Sequence, residues 1–166
     1  MGTLFANSSY TYEMLQIDIE SVKKKHPFVD IISIGKSVLG KDLTVIKIGN
    51  GNKEVFYNGA IHANEWITAP VLMKFVKEYC NAIKNNSIIY GYSAIKLYNT
   101  ITLYVMPMIN PDGVNLVTGA ISEGSIAYNN AKDISSSYPN IHFPSGWKAN
   151  ITGVDLKNYQ PICKVL

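Results

Sequence analysis

Val55-Phe56-Tyr57-Asn58-Gly59-Ala60, then Val71, Leu72, Phe75, Val76, Tyr79 and Ile83, then Ile101-Thr102-Leu103-Tyr104-Val105-Met106-Pro107-Met108 are the stretches whose order decides the fold class. The first is a strand-length run, read as a strand over 55–60. The second group repeats at three and four from Thr68 onward and stops at Asn85-Asn86, which predicts a helix over 69–84. The third is a continuous apolar run of the kind buried on both faces, and it leads into Asn110-Pro111-Asp112-Gly113, which reads as a turn. Strand, helix and buried strand in that order form a crossover unit, so the chain is α/β, with helices covering a mixed sheet. Sites in such sheets lie at the carboxyl ends of the parallel strands.

Working outward, Thr11 can cap a helix over 12–25, because Tyr12, Leu15, Ile19 and Val22 fall at helical spacing and Pro27 follows a basic last turn. The runs Val29–Ile34 and Leu43–Ile48, joined by Gly35 to Asp42, predict two antiparallel strands. From Gly119 to Trp147 the chain is rich in Ser, Asn, Gly, Tyr and Pro without a sustained period, and it reads as a long loop. No internal repeat is present, and 166 residues form a single domain, 1–166.

The composition narrows the function classes. At 47% hydrophobic and 16% charged the chain builds a globular core rather than a disordered one. No apolar run approaches the roughly 18 residues of a membrane helix, so no membrane partner is expected. The net charge of +3, with Lys23-Lys24-Lys25 as the sole cluster, is too small for a nucleic-acid surface. All 15 basic residues are lysine, so any task needing a two-pronged guanidinium requires a substitute. Cys80 and Cys163 form neither a disulfide framework nor a C-x-x-C site, and Met1 to Tyr12 lack the charged and apolar regions of an export signal. Both point to a reducing compartment, the cytoplasm.

Two segments carry candidate chemistry. His62 and Glu65 directly follow the third strand, and their i, i+3 spacing lets an imidazole and a carboxylate face the same way, as two ligands of one zinc ion do. A His-x-x-Glu at a helix start also occurs without any metal role. Asp155, in Gly153-Val154-Asp155-Leu156, reads as a buried strand end, and a buried aspartate needs a partner. A metal-bound histidine is one candidate, and capping a turn is the alternative.

Taken together, five blocks resemble the zinc carboxypeptidase family: Tyr10-Thr11-Tyr12-Glu13-Met14-Leu15; Ile34-Gly35-Lys36-Ser37 with Gly40-Lys41; Gly59 to Trp66; Met106 to Gly113; and Trp147-Lys148-Ala149-Asn150 with Gly153 to Leu156. The His-Ala-Asn-Glu and Trp-Lys-Ala-Asn forms are similar to its bacterial branch, the γ-D-glutamyl-L-diamino acid endopeptidases that cut peptidoglycan stem peptides. The resemblance implies an α/β/α sandwich with a mixed, mostly parallel sheet, corresponding to the N-terminal half of that fold. It implies one Zn2+ held by His62 and Glu65, with a metal-bound water attacking the scissile carbonyl and Asp155 orienting His62. Lys148 stands where pancreatic-type members carry an arginine that polarises the carbonyl oxygen, and can act there as a point cation.

Departures from the family pattern set further expectations. The carboxylate-clamping block reads Lys157-Asn158-Tyr159-Gln160-Pro161, so Asn158 can take the asparagine position while no arginine completes the clamp. The family's third zinc ligand, a histidine, and its general-base glutamate both lie well beyond the Asp155 block, and the chain ends ten residues after Leu156. The expected zinc site is therefore incomplete and the general base absent from the chain, unless His142 or another chain completes the site. The alternative to a stem-peptide peptidase is a non-catalytic peptidoglycan-peptide binder, a pseudoenzyme or gene remnant. An incomplete fold would also expose sheet edge and apolar surface, giving self-association.

Overall fold

A computed structural model describes residues 9–159. Helix α1 spans Tyr12–Lys25 and is capped by Thr11, whose hydroxyl accepts the Met14 N–H at 3.3 Å. Strands β1 (Asp30–Lys36) and β2 (Asp42–Ile48) form an antiparallel pair, followed by β3 (Lys53–Asn58) and helix α2 (Thr68–Lys84). A two-residue-per-strand hairpin, β4 (Ile88–Ile89) and β5 (Tyr92–Ser93), leads into α3 (Ala94–Thr100) and β6 (Ile101–Met106). Helices α4 (Pro111–Val117) and α5 (Ile126–Ser135) follow.

The main sheet has the order β1-β2-β6-β3. β3 and β6 are parallel neighbours, with Val55 opposite Leu103 and Tyr57 opposite Val105, so the expected crossover through α2 is present. The sheet is mixed, but β2 pairs antiparallel with both β1 and β6. The balance in the main sheet is therefore antiparallel rather than mostly parallel, because the crossover contributes one parallel pairing while β2 contributes two antiparallel ones, to its chain neighbour β1 and to the distant β6.

Ile46, Ile48, Leu103 and Val105 share one face and pack with Leu15, Ile19 and Val22 of α1 and Met73 and Val76 of α2. The opposite face carries Ile32 and Phe56, 38% and 37% exposed, so the described helices do not complete the second layer of the expected sandwich there. A smaller core of Ala63, Leu116, Tyr128, Ala131, Trp147 and Ile151 ties α4 and α5 to the loop that follows β3.

Two expectations need correcting. Asn110 to Gly113 is the start of α4, not a free turn: Asn110 caps it by accepting the Gly113 N–H at 3.1 Å, and Pro111 takes the first helical position, where its missing N–H costs nothing. The segment 119–147 is not loop throughout, because Ser125 accepts the Tyr128 N–H and caps α5, which buries Tyr128 and Ala131. α5 escapes notice because only those two of its ten residues are fully buried, with Ala127 and Ile134 at the margin of the core.

Candidate metal centre

Past Asn58 the chain keeps to the end of β6: the Gly59 N–H donates to Met106 O, the Ile109 N–H to Gly59 O and the Asn110 N–H to Ala60 O, at 3.0–3.1 Å. A Cβ on Gly59 would stand 2.9 Å from the Leu72 Cδ1 and the Pro107 carbonyl, so only glycine admits this approach. Ala60 then takes φ 49°, a left-handed conformation that a non-glycine residue holds only when its surroundings enforce it. They do: Ala60 is buried, and its N–H donates to Thr68 Oγ1 at 2.7 Å, while that hydroxyl donates to the Glu65 carbonyl at 2.9 Å.

This bend presents His62 at the head of a single 3-10 turn, Ala63–Glu65. Ala63 is fully buried in the smaller core and its N–H donates to the Lys148 carbonyl at 3.0 Å. With that anchor fixed, His62 and Glu65 project together: His62 Nδ1 lies 2.9 Å from Glu65 Oε1. The other ring nitrogen, Nε2, faces Asp155 Oδ1 at 3.6 Å. The His62 side chain is 16% exposed and those of Glu65 and Asp155 about half, so the pair opens to solvent on the Glu65 side.

The donor set suits zinc. Two donors on one tetrahedral zinc at about 2 Å stand on the order of 3.3 Å apart, close to the observed His62–Glu65 separation. At 2.9 Å the Nδ1 N–H donates to the Glu65 carboxylate, and an ion bound between the two would take the place of that proton, with Nε2 left facing Asp155. Among the described residues no three His, Cys, Asp or Glu side chains converge as a metal-holding group.

Asp155 is not a buried strand end. It follows the Thr152-Gly153 turn outside any strand, with its side chain 45% exposed and Oδ1 accepting the Lys157 N–H at 3.0 Å. It thus caps a local turn, the second of the alternatives left open by the sequence, and also faces His62 Nε2. The Lys148 side chain is exposed, and its backbone carbonyl is what touches the His62 loop. Asn158 lies in the short 3-10 turn Leu156–Tyr159, and its side chain is outside the described residues, as is Cys163. His142 pairs with Ser145 Oγ at 2.8 Å in its own loop, and His26 is buried at the end of α1, so neither joins His62 and Glu65.

The family model described as zinc carboxypeptidase matches residues 16–161. The chain belongs to the zinc carboxypeptidase family. It is 43% identical over 153 residues to γ-D-glutamyl-L-diamino acid endopeptidase 1 of Lysinibacillus sphaericus, covering 92% of this chain and 38% of that protein. It is 38% identical over 154 residues to the Bacillus subtilis protein YqgT, covering 92% and 40%. The chain thus spans about two fifths of the length of these curated relatives. Among solved structures, the metallo-carboxypeptidase of Pseudomonas aeruginosa superposes with a TM-score of 0.61 at 16% identity, covering 92% of this chain and 32% of that one. Thrombin-activatable fibrinolysis inhibitor superposes with a TM-score of 0.60 at 19% identity, covering 90% and 32%. These likenesses establish a carboxypeptidase fold for this family member. No described helix is long and apolar enough to cross a membrane.

Sequence reasoning missed Asn110 as a contributor to this centre. Its signal was the Asn-Pro pair itself, an N-cap followed by a proline at the first helical position.

Proposed function

We propose that this zinc carboxypeptidase family member carries the His62–Glu65 part of a metallopeptidase centre acting on peptidoglycan stem peptides, at the bond between γ-D-glutamate and a diamino acid. The observation that carries the reading is the convergence of His62 Nδ1 and Glu65 Oε1 at 2.9 Å with Nε2 turned to Asp155. Its substrate class is supported by the 43% identity to an endopeptidase of that name. His62 and Glu65 would hold the zinc ion, which when bound supplies a Lewis acid and an activated water. Asp155, facing Nε2 at 3.6 Å, would accept its proton once Nδ1 binds the ion. Lys148, on a backbone pinned to the His62 loop, places a cation where negative charge develops on the substrate carbonyl. Asn158 would meet a substrate carboxylate with an amide donor. That choice suits a chain without arginine and a substrate with an ammonium of its own.

A second reading is a stem-peptide binder without catalysis, favoured by the lack of a third converging ligand among the described residues. Zinc titration of the purified chain against His62→Ala separates the two when paired with assays on γ-D-glutamyl-diaminopimelate peptides. The peptidase reading expects one zinc per chain, lost in the variant, and peptide binding that zinc strengthens. Peptide binding indifferent to zinc and to His62, without cleavage, would leave only the binder.

A further inference from the structure

Asn110 is buried at the junction of three segments, and every polar atom of its side chain is used. Its Oδ1 accepts the Gly113 N–H at 3.1 Å. Its Nδ2 donates to Ala149 O at 2.9 Å and Ile61 O at 3.2 Å, with Lys148 O at 3.5 Å. Its backbone N–H donates to Ala60 O. One residue thus holds the carbonyls of Ala60 and Ile61, immediately before His62, and that of Ala149, immediately after Lys148.

Beyond Ala149 the constraint continues. Asn150 Oδ1 accepts the N–H groups of Thr152 and Val154 at 3.0 and 2.9 Å, and its carbonyl accepts the Trp147 indole N–H at 3.1 Å. This closed turn delivers Asp155 to His62 Nε2. Gly113 completes the arrangement, since a Cβ there would stand 2.6 Å from both side-chain polar atoms of Asn110 and 2.7 Å from Ala149 O. The helix start is left without a side chain where the clamp needs room.

We propose that Asn110 is a positioning residue for the metal centre: its carboxamide sets the separation between the His62–Glu65 pair on one loop and Lys148 and Asp155 on the other. The inference rests on the reading of His62 and Glu65 as metal ligands, and the experiment is built so that the two fail separately.

Asn110→Asp keeps the acceptor that caps α4 and removes both donors to the loops. Gly113→Ala attacks the same clamp by crowding and leaves Asn110 in place. Asn115→Ala, on the next turn of α4 and bonded to α1 instead, serves as a destabilised control. Each variant of the full chain is compared with the parent by amide hydrogen exchange and by titration with zinc alone.

Asn110→Asp and Gly113→Ala are expected to speed exchange at the Ala63 N–H selectively over the α2 amides, and to weaken zinc binding roughly tenfold. Asn115→Ala is expected to do neither selectively. Exchange at Ala63 that rises only in step with α2, as in the control, would overturn the clamp. Faster Ala63 exchange with unchanged zinc affinity would make Asn110 structural only and overturn its positioning role. A parent chain whose zinc binding ignores His62→Ala would fell the ligand reading, and the positioning role with it, while the exchange data still report on the clamp. Should Asn110→Asp fail to fold, Gly113→Ala carries both readouts.

Discussion

His26 sits at the C-cap of α1, buried, with its Nδ1 facing no hydrogen-bond partner. A helix C-terminus ordinarily welcomes a cation, but here burial comes first, and the charges of Lys84 and Lys25 add to it, pushing the imidazole below its ordinary value of 6.5. The sign follows from which state binds the proton more readily. The unfolded chain takes it up near 6.5, the folded chain only at lower pH, so the stability is full above the unfolded value and is lost as the pH falls through the folded one. Urea midpoints measured from pH 7 down to pH 5 should therefore decline in the parent and decline less in His26→Gln. Equal slopes would show that the buried ring does not govern this window. The contrast with His62 shows what a sequence discloses at this scale. The i, i+3 spacing of His62 and Glu65 was legible because a periodic backbone converts spacing into direction. The burial of His26, the left-handed turn at Ala60 and the exposed setting of Asp155 depend on segments distant in sequence, and no local pattern encodes them.

At the scale of elements, α1 shows how local and distant signals combine. Its bounds match the sequence expectation because the cap, the apolar stripe and the following proline agree with one another. Its first turn is also tied to α4, far away in sequence. Asn115, buried, accepts the Tyr12 N–H at 2.8 Å and donates to the Glu13 carboxylate at 2.8 and 3.1 Å. One side chain thus satisfies a first-turn donor of a helix a hundred residues away in sequence. Asn115→Ala would leave that N–H and that carboxylate short of partners in a partly buried setting, at a cost of about 2 kcal/mol. Urea unfolding should show a lower midpoint at an unchanged slope, and an unaltered midpoint would mean that water replaces the amide without loss. Where sequence reading failed, at α3, α4 and α5, the elements are seven to ten residues long and fully bury one or two residues, in α3 and α5, or nearly every residue, in α4, so no apolar stripe stands out. A period needs several turns to declare itself, and the caps Ser93, Asn110 and Ser125 were the usable signals.

At the scale of the whole molecule, the exposed surface follows from the strand order. β3 has β6 on one side and no described strand on the other, which leaves a row of backbone donors and acceptors from Lys53 to Asn58 beside an open apolar groove of about 290 Å³. Val55, Tyr57, Phe75, Tyr79 and Leu103 line that groove, and Tyr57 is 49% exposed. Phe56, 37% exposed, alternates to the other face of the same strand, so both sides of the edge are apolar. Natural edges are blunted by inward charges, bulges or proline, and the two charges of this strand, Lys53 and Glu54, stand together at its start. Past Glu54 the parallel edge has aromatic flanks that favour strand addition, and the partner always at hand in a purified sample is another copy of the chain. Sedimentation equilibrium should therefore give an average mass that climbs above 18.4 kDa with concentration, together with a melting temperature that depends on concentration. Tyr57→Lys places a charge in the groove at the edge itself and should return the mass to that of a monomer. A parent chain that stays monomeric at every concentration, with a sharp melt independent of it, would show that the edge is protected by a device outside the described residues.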